Sequence, residues 1–302
     1  MAAFSRVALI GFGEVGQTLG ADLLAAGADV AAFDILVAKA DSAPSRALSK
    51  IAVRTARDAR DAVKDVDLVI AAVTAASDLE AAQSVAPGLS RGAFYLDVNS
   101  VSPGMKRACA EIIDGAGGRY VEAAVMTPIA PKRIGSSMLL GGAHADSFLQ
   151  GAAPLGFTGA KAFSSIVGQA SATKMCRSVI IKGVEALLTE SMLAARHYGI
   201  EKTVLDSLSD LLPAGDWEKI ARYFISRSLE HGTRRAEEMR ESAKTVSEAG
   251  LEPLMALATA EREDWAAAHR HALAHIDDLG AMLDAIRKNI DTNPAASSKA
   301  AE

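Results

Sequence analysis

Apolar and polar residues alternate in two different ways along this chain of 302 residues, and the pattern changes near residue 168. Before that point, short runs rich in Val, Ile and Ala are separated by stretches with apolar residues at helical spacing. This order predicts a mostly parallel sheet covered by helices on both faces. After that point strand-like alternation stops, and helical spacing continues to about residue 290. The pattern therefore predicts an α/β domain followed by an all-helical domain.

The first predicted domain covers residues 1–167. Its candidate strands are 6–10, 29–33, 68–73, 94–97, 120–125, 137–140 and 162–167, and its clearest helices are 14–26 and 103–116. The helical domain covers residues 168–290, with breaks predicted at Pro213, Gly215, Gly232, Gly250 and Pro253. Its first helix, about 171–197, is apolar on most sides, which indicates burial. Residues 291–302 contain too few apolar side chains to order themselves and are expected to form a disordered tail.

Composition and charge exclude several kinds of partner. Lys and Arg total 32 against 37 Asp and Glu, and aromatic residues make up 5%, so the chain lacks the basic surface and stacking rings of nucleic-acid binders. The longest stretch without a charged side chain, 147–160, is shorter than the roughly 20 residues of a membrane span. Residues 1–6 show no secretion signal, and Cys109 and Cys176 fit no metal or disulfide pattern and are expected to be buried. We therefore expect a soluble cytoplasmic protein that binds neither nucleic acid nor membranes.

A glycine-rich turn of the form G-x-G-x-x-G follows the first predicted strand. Gly11 allows a tight turn, Gly13 lets a pyrophosphate approach the backbone, and Gly16 lets helix and strand pack closely. Backbone N–H groups at the start of the following helix would face the anion. Asp34, at the end of the second strand, would accept hydrogen bonds from ribose hydroxyls. The predicted cofactor contacts are Gly11, Phe12, Gly13, Glu14, Val15, Gly16, Asp34, Val73 and Thr74.

Asp34 also bears on the choice between NAD and NADP. Its carboxylate would repel a 2'-phosphate, and the next residues, Ile35 and Leu36, offer no arginine to hold one. NAD is therefore the favoured cofactor. Lys39 and Arg46 are close enough in sequence to leave NADP open.

Two further segments carry a family resemblance. The sequence DVNSVSP at 97–103 resembles the D-x-S/T-S/T-x-x-P substrate loop of the β-hydroxyacid dehydrogenases, the family of 3-hydroxyisobutyrate dehydrogenase and 6-phosphogluconate dehydrogenase, with Asn99 in place of a hydroxyl residue. Residues 120–125 are similar to that family's F-x-D-A-P-V segment, but the S-G-G that should follow reads Met126-Thr127-Pro128. Because the family uses S-G-G to hold the substrate carboxylate, this departure points away from the usual substrate.

Another segment similar to this family lies at the start of the long predicted helix. The sequence GQASATKMCRS at 168–178 is similar to the family's glycine-rich approach to K-x-x-x-N. The resemblance places Lys174 at the catalytic lysine and Ser178 at the asparagine that orients substrate. Over about 290 residues it implies a Rossmann-type, doubly wound sheet followed by a helical domain. The chain looks most similar to the less characterised branch related to 6-phosphogluconate dehydrogenase.

The chemistry of an alcohol dehydrogenation suits a lysine. A base must take the hydroxyl proton while a hydride leaves, and an acid must return it in reverse. Apolar surroundings and the positive end of a helix both disfavour the ammonium form, which would bring a lysine pKa of about 10.4 towards neutral pH. We expect Lys174 to act as this general acid/base. The predicted substrate contacts are Asn99, Ser100, Thr127, Ser178 and His231.

His231 enters that set through the family. Its members bring residues of the helical domain over the active site, often from a second subunit, and this implies a homodimer. In the alternative interpretation, His231 lies at a junction between two helices, the first of which ends at Gly232, and contacts no substrate. Arg177 could hold a substrate carboxylate or pair with an acidic side chain; the sequence leaves both interpretations open.

These expectations describe an NAD(P)-dependent oxidoreductase acting on a small β-hydroxy acid or related polar alcohol. One alternative is an imine reductase on the same scaffold, suggested by Met126-Thr127-Pro128 and Ser178. Another is a non-catalytic dinucleotide-binding sensor, because fold does not imply function. Ser171 and Lys174 also fit the S-x-x-K nucleophile pattern of serine acyl enzymes, but the companion motifs of those enzymes are absent in usable form.

Overall fold

The structure, a computed structural model, describes residues 3–39, 41–211 and 215–292. It contains two compact units that divide between Lys174 and Met175. The predicted break at Pro213 and residues 293–302 of the predicted tail lie outside the described residues, whereas the last helix continues through Thr292. In the part of the chain that is described, no helix is both long enough and apolar enough to cross a membrane.

The described residues of the first unit form an eight-stranded sheet. Its strands are β1 (Arg6–Ile10), β2 (Asp29–Phe33), β3 (Arg54–Thr55), β4 (Leu68–Ala71), β5 (Phe94–Asp97), β6 (Arg119–Val125), β7 (Met138–Gly141) and β8 (Ala160–Ser164). They lie in the order β3-β2-β1-β4-β5-β6-β7-β8. All neighbouring strands pair in parallel except β6 and β7. The order reverses beside β1, and ligands of such sheets bind at the carboxyl ends of the strands next to this switch point.

Helices cover both faces of this sheet. They are α1 (Glu14–Ala25), α2 (Ala43–Leu48), α3 (Ala59–Ala62), α4 (Asp78–Val85), α5 (Pro103–Gly115), α6 (Ile129–Lys132) and α7 (Ala145–Ala152). Two separate apolar cores result, one on each side of the sheet, and every residue of the central strands β4 and β5 is buried. Burial on both faces is why these strands are continuous apolar runs rather than alternating ones. The predicted doubly wound, mostly parallel sheet is confirmed.

The second unit is helical. It contains most of α8 (Gln169–Tyr198), followed by α9 (Glu201–Leu211), α10 (Trp217–Glu248), α11 (Leu254–Ala267) and α12 (Leu279–Thr292). Apolar side chains from these helices form a core of their own, centred on Met192, Ile225 and Leu283. The prediction of an all-helical second half is confirmed.

The predicted break at Gly232 is wrong, because α10 is continuous through this position. A Cβ atom there would lie 2.2 Å from the carbonyl oxygen of Glu263 and 3.0 Å from the backbone nitrogen of Ala267. The glycine therefore lets α10 and α11 pack closely and does not end a helix.

Several predicted boundaries also differ from the structure. The sequence pattern missed β3, a pair of exposed residues at the sheet edge, because two residues are too short to show alternation. The strand predicted at 68–73 ends at Ala71, and the one predicted at 162–167 is Ala160–Ser164. Cys109 is buried as expected, but Cys176 is exposed.

Candidate active site and coenzyme-binding turn

The glycine turn between β1 and α1 has the geometry that a dinucleotide requires. Gly11 has φ +90°, and a Cβ atom there would lie 2.3 Å from the carbonyl oxygen of Ala72. A Cβ at Gly16 would lie 2.2 Å from the carbonyl oxygen of Gly11, whereas a Cβ at Gly13 would meet nothing within 4 Å. The first and third glycines are thus required by the turn itself, and the second leaves open space. This is the space that a pyrophosphate would fill.

Asp34 is joined to this turn by its side chain. Its carboxylate accepts hydrogen bonds from the backbone N–H groups of Phe12 and Leu36, each at 2.8 Å. The bond from Phe12 places the acid beside the glycine turn although the two are far apart in sequence. A carboxylate has about four acceptor positions, so two remain for ribose hydroxyls. The residues present therefore fit an adenine dinucleotide.

Lys174 and Ser100 meet in the first unit. The Nζ atom of Lys174 donates a hydrogen bond to the Oγ atom of Ser100 at 2.5 Å, and both side chains are half-buried. Ser100 lies in the loop after β5, and Lys174 lies in the second turn of α8. The structure therefore brings the predicted acid/base together with a predicted substrate contact.

A buried glutamate fixes the start of α8. Glu122, in β6, accepts hydrogen bonds from the backbone nitrogens of Gly168, Ala170 and Ser171 at 2.7, 3.1 and 3.3 Å. A negative side chain here satisfies N–H groups that lack partners within the helix. Glycine is required at Gly141, because a Cβ there would lie 2.2 Å from Oε1 of Glu122. Sequence reasoning included Glu122 in the segment 120–125 but gave it no role; the available signal was an acidic residue between apolar neighbours in a strand.

Ser171 does not pair with Lys174. Its hydroxyl is buried and donates to the carbonyl oxygen of Gly168 at 3.1 Å, which makes it part of the helix start. The S-x-x-K pattern is therefore explained by local helix geometry, and a serine acyl enzyme finds no support here.

Asn99 has a different environment from the one predicted. Its side chain is 5% exposed, and both ends of its amide are bonded within the protein. Oδ1 accepts from the backbone nitrogen of Val73 at 2.7 Å, and Nδ2 donates to Oδ1 of Asp78 at 2.6 Å. The amide thus connects the loop after β4 to the loop after β5. The predicted cofactor residue Val73 is half-buried in the first of these loops, and Thr74 beside it is exposed.

A buried polar cluster lies beneath these loops. Asp97, the last residue of β5, accepts from Nζ of Lys106 at 2.7 Å and from the hydroxyl of Tyr120 at 2.6 Å. Burial alone would lower the pKa of Lys106, but the neighbouring Asp97 holds that pKa above its usual value. Burial and the nearby charge of Asp97 raise the pKa of Asp78 to about 7. Sequence reasoning missed both Asp78 and Lys106. The signal that could have identified them is a charged residue on the buried face of a helix.

The remaining predicted substrate contacts are spread over both units. Thr127 is exposed just beyond the carboxyl end of β6. Ser178 and His231 are half-buried residues of the second unit, and Nε2 of His231 lies 3.2 Å from Oε2 of Glu230. Burial, together with nearby arginines such as Arg227, lowers the pKa of His231. The substrate contacts of these three residues stay predictions.

Comparison with protein families matches both halves of the chain. Residues 6–167 match the family described as the NAD binding domain of 6-phosphogluconate dehydrogenase. Residues 195–265 match a domain of unknown function, DUF1932. The first match covers more than half of the chain and includes the glycine turn, Asp34 and Ser100.

Two curated proteins are similar to most of the chain. An uncharacterised 28.5 kDa protein of Methanothermus fervidus is 30% identical over 256 residues, which are 83% of this chain and 94% of that protein. An NAD-dependent L-serine dehydrogenase of Pseudomonas aeruginosa is 25% identical over 218 residues, which are 70% of this chain and 71% of that enzyme.

Solved structures extend this comparison. A conserved hypothetical protein from Sinorhizobium meliloti is 32% identical with a TM-score of 0.76, covering 94% of this chain and 96% of that one. A second conserved protein, whose structure is described as similar to 3-hydroxyacid dehydrogenases, is 30% identical with a TM-score of 0.70, covering 86% and 96%. A reductive aminase from Aspergillus terreus shares the fold alone, at 17% identity, a TM-score of 0.53 and coverage of 93% and 98%. The chain therefore belongs to the 6-phosphogluconate dehydrogenase-like family of NAD-binding proteins, and it is similar to a protein whose structure is described as resembling 3-hydroxyacid dehydrogenases.

Proposed function

We propose that this protein is an NAD-dependent dehydrogenase that oxidises the CH–OH group of a small β-hydroxy acid or related polar alcohol. The observation that carries the proposal is the 2.5 Å hydrogen bond between Lys174 and Ser100. It places a lysine and a hydroxyl side chain together at the carboxyl end of β5, close in the sheet to β1 and its glycine turn. An alcohol dehydrogenase needs a proton-transferring group at such a position.

The turn at 11–16 and Asp34 would hold the coenzyme. When bound, its nicotinamide ring supplies the hydride acceptor for oxidation and the hydride donor for reduction. The carboxylate of Asp34 would bind ribose hydroxyls and repel a 2'-phosphate, which favours NAD. Nη1 of Arg46, one of the nearby basic groups that leave NADP open, donates to the carbonyl oxygen of Asp41.

Lys174 would exchange the proton at the substrate oxygen. In the neutral form its Nζ atom accepts the hydroxyl proton as the C–H bond is lost, and in the reverse direction the ammonium returns it. A substrate hydroxyl within hydrogen-bond reach of Nζ would also be close to Oγ of Ser100, which can donate or accept. Ser100 would thus orient the substrate oxygen and the lysine toward each other.

The substrate class follows from the relatives and from one departure. The Pseudomonas aeruginosa relative acts on L-serine, a small acid with a β-hydroxyl group. In this chain Met126, Thr127 and Pro128 replace the family's S-G-G, and Thr127 is exposed at the end of β6. We therefore assign to Thr127 the polar contact that S-G-G makes in the family, with a substrate that differs from the usual ones.

The test incubates the protein and NAD with a panel of β-hydroxy acids and polar alcohols and measures the absorbance of the reduced coenzyme. Coenzyme reduction with one of these classes is the expected result. The imine-reductase alternative is tested by adding ketones together with amines and measuring consumption of the reduced coenzyme. Tight coenzyme binding with no turnover on any of these substrates would instead favour a non-catalytic sensor.

The homodimer implied by the family resemblance belongs to the same proposal. Large apolar side chains on the described faces of the second unit support it, because exposed apolar surface marks interfaces; examples are Ile180, Leu187 and Leu254. Sedimentation equilibrium of the purified protein would show a mass twice that of the chain.

A further inference from the structure

Asp78, a residue outside every motif, is built into the connection between the two loops of the site. It is the first residue of α4 and is completely buried. Its Oδ1 atom accepts from Nδ2 of Asn99 at 2.6 Å, and Oδ1 of Asn99 accepts from the backbone nitrogen of Val73 at 2.7 Å. The chain of contacts therefore runs from α4 through one amide to the loop after β4. Asn99 itself precedes Ser100.

The carboxyl group of Asp78 decides which way this amide points. A side-chain amide has an acceptor end and a donor end, and the N–H of Val73 requires the acceptor. Asp78 lies at the donor end of the amide and accepts from it. The amide of Asn99 can therefore satisfy both neighbours in one orientation, with Oδ1 facing the N–H of Val73 and Nδ2 facing Asp78. Without Asp78, a buried NH₂ group would lose that partner, at a cost that favours rotation of the amide or movement of the loop.

We propose that Asp78 is a positioning residue of the coenzyme and substrate site, acting through Asn99 to fix the spacing between the loop of Val73 and Thr74 and the loop of Ser100. This inference rests on the proposed function, in which the first loop contacts the coenzyme and the second contacts the substrate. It also reassigns Asn99 from direct substrate contact to support of the two loops. Hydride transfer is sensitive to such spacing, because a displacement of about 1 Å can lower a rate by about 100-fold.

The neighbours of Asp78 favour a hydrogen-bonded cluster over a metal site. Ligand atoms of Asp78, Asp97 and Cys109 lie within 4.8 Å of one another, a grouping that suits a metal ion. However, the ammonium of Lys106 already lies 2.7 Å from Oδ1 of Asp97 and supplies a positive charge there. Asp78 is therefore part of a buried hydrogen-bonded cluster, in which it accepts from Nδ2 of Asn99.

The experiment compares Asp78→Ala with Asp78→Asn and a matched control, Tyr120→Phe. Asp78→Ala removes the acceptor, and Asp78→Asn keeps an oxygen that can accept from Asn99. Tyr120→Phe removes one buried hydrogen bond of the same cluster, to Oδ2 of Asp97, and leaves both side-chain hydrogen bonds of Asn99 in place. For each protein, kcat and KM, NADH affinity by fluorescence titration and Tm are measured.

We expect kcat/KM of Asp78→Ala to fall about tenfold or more and its NADH affinity to weaken, with Asp78→Asn within about threefold of wild type. Tyr120→Phe should lower Tm while keeping NADH affinity and kcat/KM. Should Asp78→Ala fail to fold, Asp78→Ser is measured instead; it has no carboxyl oxygen at the position that accepts from Asn99, and the same loss is expected.

Two results would overturn the inference. One is wild-type kinetics and NADH affinity in the acceptor-deleted variant. The other is a loss of activity that follows Tm equally in all three variants, which would show a merely structural role. If wild-type protein turns over no substrate, the proposed function fails, and the inference is then judged by NADH affinity alone. An unchanged NADH affinity in Asp78→Ala would overturn the inference. A weakened affinity in Asp78→Ala that Asp78→Asn restores would support it.

Discussion

The Nζ atom of Lys174 lies 2.5 Å from the Oγ atom of Ser100, although 74 residues separate them in the chain. Two features of the fold bring them together. Ser100 follows the parallel strand β5 at the carboxyl edge of the sheet. Glu122 of the neighbouring strand β6 holds the first turn of α8, and Lys174 lies one turn further along that helix.

Lys174→Ala should lower kcat by about 100-fold or more, because a positioned acid/base group contributes about 10² to 10⁴ to the rate. NADH affinity, measured by fluorescence titration, should stay close to that of wild type. Lys161→Ala, which removes an exposed lysine in β8, is the control and should keep wild-type kcat. Turnover of Lys174→Ala within about tenfold of wild type would contradict the assignment of the lysine.

Gly13→Ala and Gly16→Ala should separate coenzyme binding from folding. The Cβ of an alanine at 13 meets nothing within 4 Å, so the free energy of unfolding should change little while NADH affinity falls about tenfold or more, since the methyl group enters the pyrophosphate space. The Cβ at 16 would lie 2.2 Å from a backbone oxygen, which should lower the free energy of unfolding by about 1–3 kcal/mol. Urea unfolding and NADH titration check both. Equal NADH affinity in wild type and Gly13→Ala would place the coenzyme elsewhere.

Asp34→Ala should weaken NADH binding by about tenfold or more, because hydrogen bonds to a charged group contribute about 1.5–3 kcal/mol. The affinity for NADPH should fall less or rise, since the repulsion of a 2'-phosphate is removed. Asp29→Ala, at the exposed start of the same strand, serves as the control and should leave both affinities unchanged. A proportional loss for both coenzymes would show that Asp34 does not discriminate between them.

The pKa of Asp78 predicts a pH-dependent stability. Burial and the charge of Asp97 raise that pKa from its ordinary value of 3.8 to about 7. Between about pH 4 and 7 the folded protein therefore keeps a proton that the unfolded chain has already released. Stability is therefore lost as the pH rises through this window and levels off above it. Other groups facing Asp78 are Lys106, Cys109, Tyr95 and Tyr120.

Asp78→Asn removes this titration while keeping the acceptor. The free energy of unfolding of the variant, relative to wild type, should therefore increase by about 1 kcal/mol per pH unit between pH 5 and 7. Urea unfolding of both proteins at several pH values measures the difference. A difference independent of pH over this range would show that the carboxyl group of Asp78 is ionised throughout.

Gly232→Ala and Gly183→Ala form a matched pair in the second unit. Both replace a glycine inside a long helix, where alanine is favoured by about 1 kcal/mol. At 183 the nearest atom to a Cβ is 4.0 Å away, so the variant should gain stability; at 232 a backbone oxygen of α11 lies at 2.2 Å, so the variant should lose about 1–3 kcal/mol. Thermal unfolding of both checks the signs. Stabilisation by Gly232→Ala would contradict the close packing of α10 and α11.

The residues whose contacts sequence reasoning missed share one property. Glu122 contacts the start of α8 from a strand more than 40 positions earlier, and Asp78 contacts Asn99 across 21 positions. Nothing in the local sequence around Glu122 or Asp78 shows which distant group each will meet. Gly232 was interpreted wrongly for a related reason: a glycine that ends a helix and one that admits a neighbouring helix look the same in one dimension.

The amino-acid sequence by itself determined the doubly wound sheet, the helical second half, the glycine turn with Asp34 and the motif positions of Ser100 and Lys174. The sheet, the helices and the glycine turn depend on periodicity and backbone conformation, which act over a few neighbouring residues, whereas the roles of Ser100 and Lys174 were expected from the family resemblance. Only the tertiary structure decided that Lys174 bonds to Ser100, that Asn99 is buried between two loops and that Asp78 and Lys106 lie together near Asp97. Such contacts join residues that are brought close by the packing of whole strands and helices, and burial changes both their hydrogen bonding and their pKa values.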